Sequence, residues 1–357
     1  MKGEYVVNAI KRLEQIKNES KDYIIPNDAI GIHYNEYTNK FIVEVETPDG
    51  LKELIPTNIA FNQINEKMGI PRTYVKRCTE KERHTLLTNN INSWLQDPSN
   101  YLLRTQNNKL RAFLSDRFRL IDNYDVAMLF LEVRKNLKET QGIDIEIQDI
   151  QLSETNMYIK ATSPQLTADI IPDPEHQERN DIVNGGIIIS NSDIGKGRFS
   201  IKSYVQVLRC KNGMIGEHEF SRVHIGKKLD EGEIVWSDQT QNLKSEAFWS
   251  QARDMITSAF TKEVFQKWVR EMNGEACVKI ERPIKAIDNI IKKYNINEEH
   301  RDALLSEFSQ LGHNKWSLSN AVTQVAQSKE NYDDQIEMEK IGTQIMTLPI
   351  STIDAED

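Results

Sequence analysis

The chain has 357 residues, of which 38% are hydrophobic and 28% charged. That is the composition of a protein with a real core, and on length alone of two domains or one domain with an appendage. No run approaches the ~18 uninterrupted apolar residues of a membrane helix. The opening MKGEYVVNAIKRLEQ carries charges where a secretory leader needs an apolar stretch, so a cytoplasmic chain without membrane association is expected. Three scattered cysteines, Cys78, Cys210 and Cys277, exclude a disulfide framework and a Cys-rich zinc module.

Charge is uneven along the chain. The net charge is −9, and residues 229–357, with 14 basic and 23 acidic groups, carry all of it. Residues 1–228 hold 31 of each sign and contain two basic islands. In the first, residues 100–119, Arg104, Lys109, Arg111, Arg117 and Arg119 stand against Asp116, a local +4. In the second, residues 196–228, eight cations including Lys196, Arg198, Lys202, Arg209 and Lys211 stand against Glu217 and Glu219, a local +6. A local field of this kind binds polyanions whatever the net charge.

In chain order, Val6, Ile10, Leu13 and Ile16 recur at helical spacing. AIGIHYN and KFIVEVE alternate as a hairpin, and PDG turns toward a further strand, LKELI. Thr57 caps a helix with Phe61, Ile64 and Met68 as its apolar stripe, ended by Gly69 and Pro71. A short helix over 71–81 and a helical segment at 84–97 follow. YLLRTQNNKLRAFLS reads as a hairpin with Asn107-Asn108 at the turn, because Asn tolerates positive φ. Asp122 is placed to cap a helix over 123–137. Strands are expected at IDIEIQDIQL, NMYIKAT, GGIIISNSD, FSIKSYVQVLRCKN and GMIGEHEFSRVHIG, with a Pro-broken exposed excursion over 163–184. After Gly232 the period becomes helical, at about 245–272, 281–294, 298–311, 317–329 and 331–347. The expected fold class is α+β: a β-rich core with packed helices over 1–232, then an acidic helical region over 233–357.

Several blocks carry a family resemblance. NSWL…LLRT…LRAFLSDRFRLIDNYDVA, GIIISNSDIGKGRFSI…LRCKNGMI…RVHIGKKL, FWSQARD, SLSNAVTQVAQ and YDDQIEMEKIGTQIM resemble a family of phage- and plasmid-encoded proteins classed as a domain of unknown function. The likeness spans roughly residues 30–347. It implies a setting in mobile-element DNA metabolism and supplies no catalytic residues.

The first island joins arginine forks suited to phosphate oxygens with the aromatic rings of Phe113, Phe118 and Tyr124, which suit unpaired bases. Strict alternation sends Leu110, Ala112 and Leu114 to the core and leaves Lys109, Arg111 and Phe113 on the other face. The competing reading pairs these arginines with Asp116, Asp122 and Asp125. The second island sets Lys196, Arg198, Phe199 and Lys202 around SNSDIGKGR, followed by Arg209 and Lys211. Glycines flanking a lysine let backbone amides reach a phosphate. It is not a P-loop, since Ser190 and Gly197 stand where that motif needs Gly and Ser or Thr. Cys210, His218 and His224 fit no zinc spacing. The acids of 169–181 lie in a Pro-broken stretch, not in a nuclease constellation, and no nucleophile motif is present. The helix pair 57–69 and 71–81 resembles a helix-turn-helix only loosely.

The expected function is therefore non-catalytic binding of single-stranded DNA or RNA in annealing or recombination. The protein would act as a homo-oligomer without metal or cofactor, with a possible protein partner on the C-terminal region. The alternative is an interaction protein that counters host defence or serves phage assembly; a metal-dependent nuclease has less behind it.

Overall fold

The structure is a computed structural model that describes residues 2–95, 99–172, 180–208, 213–222 and 238–355, and all structural statements concern those residues. It is an α+β protein with two sheets and a helical C-terminal region. Helix α1 (Lys2–Glu19) precedes β1 (Ser20–Pro26), β2 (Ile30–Asn35), β3 (Lys40–Thr47) and β4 (Gly50–Pro56). Helices α2 (Asn58–Lys67), α3 (Arg72–Glu80) and α4 (His84–Trp94) lead to the hairpin β5 (Asn100–Gln106) and β6 (Lys109–Ser115). These six strands form one sheet in the order β1-β5-β6-β4-β3-β2, antiparallel except at the short β4–β6 pairing.

Helix α5 (Asn123–Gln141) leads to a five-stranded antiparallel meander: β7 (Glu146–Leu152), β8 (Met157–Ile170), β9 (Asp181–Asn191), β10 (Phe199–Val207) and β11 (Gly213–Arg222). Then come α6 (Asp238–Ala259), α7 (Lys262–Ala276), α8 (Pro283–Tyr294), α9 (Arg301–Leu311), α10 (Lys315–Ala326), α11 (Tyr332–Thr347) and α12 (Ile350–Ile353).

Local chemistry explains many boundaries. Thr57 accepts a hydrogen bond from the Ala60 amide and starts α2. Asn107 and Asn108 adopt φ of 46° and 59° and make the tight β5–β6 turn. Gly142, at φ 68°, ends α5 in the left-handed conformation. Three expectations need correction. Strand β8 runs through Pro164 to Ile170, because a register shift between Thr162 and Thr167 absorbs the proline, so much of 163–184 is sheet. The single helix expected at 245–272 is two, since Thr261 takes an extended backbone and Phe260 turns into the core. Asp122 stands at the start of α5 without capping it; its carboxylate is turned elsewhere.

Three main cores result. One lies between the six-stranded sheet and α2–α4, with Val43, Ile64, Leu87 and Phe113 fully buried. The second lies on one face of the meander, against α1, α5, α6 and α7, and includes Phe130, Ile187, Phe248 and Trp268. The third fills the bundle of α8–α12 around Ile287, Phe308 and Leu318. Element type changes between β11 and α6, while the cores run across that change. Helices α6 and α7 share the meander's core, and Ile336 of α11 packs on its other face with Tyr158, Ile188, Tyr204 and Ile215.

Candidate nucleic-acid interface

The two sheets meet at the SNSDIGKGR motif, residues 190–198, which covers the end of β9 and the connection to β10. Its first half is held at every residue. Asn191 donates to the Ile121 carbonyl and to Asn123 Oδ1, both at 2.8 Å. Ser192 Oγ donates to the Thr155 carbonyl at 2.6 Å and accepts from the Lys196 amide at 3.1 Å. The Ile194 carbonyl accepts from Gln63 of α2 at 2.8 Å, while Gln63 Oε1 accepts the Phe113 amide at 2.9 Å. Ile194 itself packs against Leu102, Ala112 and Leu114 of the six-stranded sheet. From Gly195 onward the chain emerges, and Lys196 and Arg198 are exposed.

Asp193 explains the first island. It is buried, 3.4 Å from Arg111 and 3.9 Å from Arg104. Arg104, only 1% exposed, also pairs with Asp122 and lies 3.8 Å from Asp22 of β1. Three carboxylates thus share two guanidiniums and leave one negative charge in excess. Burial pushes the Asp22 carboxyl above its ordinary range, and the nearby Asp122 and Asp193 add to this against the pull of Arg104. Burial alone would lower Arg104, but Asp193, Asp122 and Asp22 together hold it above its ordinary value, so it stays charged.

Arg104 and Arg111 of the first island therefore face carboxylates and not an open surface. Arg104 is interior, and Arg111, with 19% of its side chain exposed, is turned onto Asp193. Phe113 is fully buried, contrary to strict alternation. The register shifts between Arg104 and Thr105, so Arg111 is an extra residue on β6 and a bulge changes the strand's phase. Leu110 and Phe113 then enter one core, and Ala112 and Leu114 face the other way. Phe199 is also fully buried, edge-on to Phe248, and offers no stacking face. Lys109 is exposed beside the hairpin turn, Arg117 is exposed near Asp116, and Arg119 is half-buried. Arg209 and Lys211 lie outside the described residues, as do Cys210 and His224. Among the described residues no group of three or more His, Cys, Asp and Glu could hold a metal ion.

The second island builds a groove. Lys196 and Arg198 from the connection, Lys202 from β10 and Lys340 from α11 line a cleft of about 210 Å³, floored by Tyr158, Ile188, Ser190, Ser200 and Ile215. Glu337 lies in it and pairs with Lys340. Helix α11 is held there by a buried ion pair, Lys160 Nζ to Glu339 at 2.7 Å, with Tyr204 and Tyr332 over the ammonium. Its first turn is clasped by the β7–β8 turn. Asp333 accepts from Tyr158 and Thr155, each at 2.7 Å, from Ser153 at 3.1 Å and from Asn156 at 3.3 Å. Burial would raise the Asp333 carboxyl, but these four donors bring it below its ordinary value. Burial and Asp333 together push the Tyr158 hydroxyl well above the usual tyrosine range.

Sequence reasoning missed Lys340 and the supporting Asp22, Asp193 and Gln63. Asp193 was open to notice as the acid inside SNSDIGKGR; nothing local connects Lys340 to residues some 140 positions earlier. Comparison with protein families, with characterised proteins and with solved structures yields no match. What the site can do is argued from its own chemistry: fixed cations on a concave, partly apolar floor suit a polyanionic strand.

Proposed function

We propose that the protein binds single-stranded nucleic acid along the groove of Lys196, Arg198, Lys202 and Lys340, without catalysing a reaction on it. The observation that carries this reading is the convergence of four cations from three separate elements on one cleft. A cleft of about 210 Å³ suits one sugar–phosphate backbone better than the wide flank of a duplex. The resemblance of the chain to phage- and plasmid-encoded proteins supports a role in mobile-element DNA metabolism in the cytoplasm of a host cell. No helix among the described residues is long and apolar enough to cross a membrane.

Fluorescence anisotropy with labelled single- and double-stranded oligonucleotides, at low and moderate salt, tests the reading. The expected result is preference for the single strand and a steep salt dependence, about 0.7 in log–log slope per phosphate neutralised. No binding of a long single strand at low salt overturns it and leaves the protein-interaction alternative.

A further inference from the structure

The groove is one of two clefts that share Lys196 and Gly197. The second, of about 300 Å³, is floored by Phe113, Leu114 and Ser115 of β6 and walled by Phe118 and by Gln63, Glu66 and Lys67 of α2. Lys196 and Gly197 line both. We propose that this second cleft receives one unstacked base of the strand whose backbone lies in the groove, an inference that rests on the binding reading above.

Four observations carry it. First, the partition is thin. Gly195 has φ 74°, and a Cβ there would stand 2.6 Å from Leu114 Cδ2 and 3.1 Å from Phe118 Cε2. A Cβ on Gly197 would meet Asn156 Oδ1 at 2.4 Å. Only glycines let the chain pass between the clefts so closely. A strand whose phosphate meets Lys196 therefore lies beside both clefts.

Second, the interior of that cleft is apolar and holds Phe118, a half-buried aromatic ring. Phe113 and Phe199 are fully buried, whereas Phe118 lines this cleft beside Lys196. Third, the rim is compatible with a phosphate. Lys67 and Lys196 stand on it, and the Glu66 carboxylate is already answered by Arg72 at 2.6 Å and Lys196 at 3.6 Å. Fourth, the Gln63 amide is spent at both ends on Ile194 and Phe113. Recognition would then be by stacking and apolar contact, with little reading of base identity.

The test compares oligothymidylate with an abasic strand of equal length, at equal salt, on the full-length protein. Wild type is expected to bind the base-bearing strand about tenfold more tightly. Phe118→Ala removes that preference without changing the salt slope, and Phe118→Tyr, which keeps a ring, restores it. Lys196→Ala weakens both strands alike. Thermal melting identifies which variants are folded; if Phe118→Ala is not, the wild-type comparison and Phe118→Tyr still decide. Equal binding of the two strands by wild type, or a preference that survives in folded Phe118→Ala, overturns the base cleft and leaves the phosphate groove standing. If neither strand binds at low salt, the groove reading itself falls and the base cleft with it.

Discussion

Residues 100–119 and the segment 196–202 are both rich in arginine and lysine, yet two arginines of the first are drawn inward and the cations of the second stand on a cleft. The difference lies in where the chain places each of them. Arg104 and Arg111 face Asp22, Asp122 and Asp193, which come from β1, the start of α5 and the β9–β10 connection. Lys196, Arg198, Lys202 and Lys340 instead stand together on one cleft, and Lys340 pairs with Glu337 and Lys196 with Glu66. Through Asp193 the first island grips the base of the segment that presents the second. A basic run thus has no fixed meaning: buried among converging carboxylates it is a brace, and on an open cleft it is a surface within reach of anions.

The largest expected effect comes from breaking the brace. Arg104→Ala leaves three carboxylates around an empty space, and loss of one partner from a buried ionic cluster costs about 3–5 kcal/mol. Urea unfolding checks this; a variant within ~1 kcal/mol of wild type would mean that the cluster is not a brace.

Next is the opposite experiment on the surface. The triple variant Lys196→Ala, Arg198→Ala, Lys202→Ala is expected to weaken single-strand binding and to flatten the salt slope by about 2 units, with little change in stability. A fall in melting temperature like that of Arg104→Ala would erase the distinction between the islands.

Part of this contrast was legible in the sequence and part was not. Asn107-Asn108 announced its turn, Thr57 its helix, and the switch of period after Gly232 the helical end, because each depends on neighbours along the chain. The inward turn of Phe113 depends on one extra residue at Arg111, which a period-2 pattern cannot show. The fate of Arg104 depends on carboxylates 82, 18 and 89 positions away, at Asp22, Asp122 and Asp193, which alternation and charge counts do not connect. Lys340 joined the groove only through the packing of α11 on the meander, secured by a pair as distant as Lys160 and Glu339.

That packing gives a pH-dependent prediction of intermediate size. The folded Asp333 carboxyl lies below its ordinary value, so its contribution is fully present above the unfolded carboxylate range, near ~3.9, and is lost as pH falls through the lower folded value. Amide protection in the first turn of α11, taken relative to the intrinsic exchange rate at each pH, should therefore fall on acidification from about pH 5 to about pH 3. Asp333→Asn should show that lower protection already at neutral pH and respond less to acid. A wild-type α11 whose protection is unchanged across this interval would count against the clasp.

The smallest effect is expected at Arg117, and it separates the two islands most finely. Inside the tight SDR turn, Arg117 has the sequence context of a structural arginine, and Arg111, on a strand face, has that of a contact. The structure reverses the two. Arg111 is turned onto buried Asp193, whereas the Arg117 side chain is 44% exposed and 4.0 Å from an equally open Asp116. An exposed pair at that distance contributes about 0–1 kcal/mol. Arg117→Ala should therefore melt within a degree or two of wild type, while Arg111→Ala, which strips Asp193 of one of its two cations, melts clearly lower. Arg117 does not line the groove, so its loss should also reduce single-strand binding less than loss of Arg198. If Arg117→Ala instead matches Arg198→Ala in lost affinity, the bound strand also runs across the turn between β6 and α5. The first island would then brace the site with its buried arginines and touch the strand with its open one.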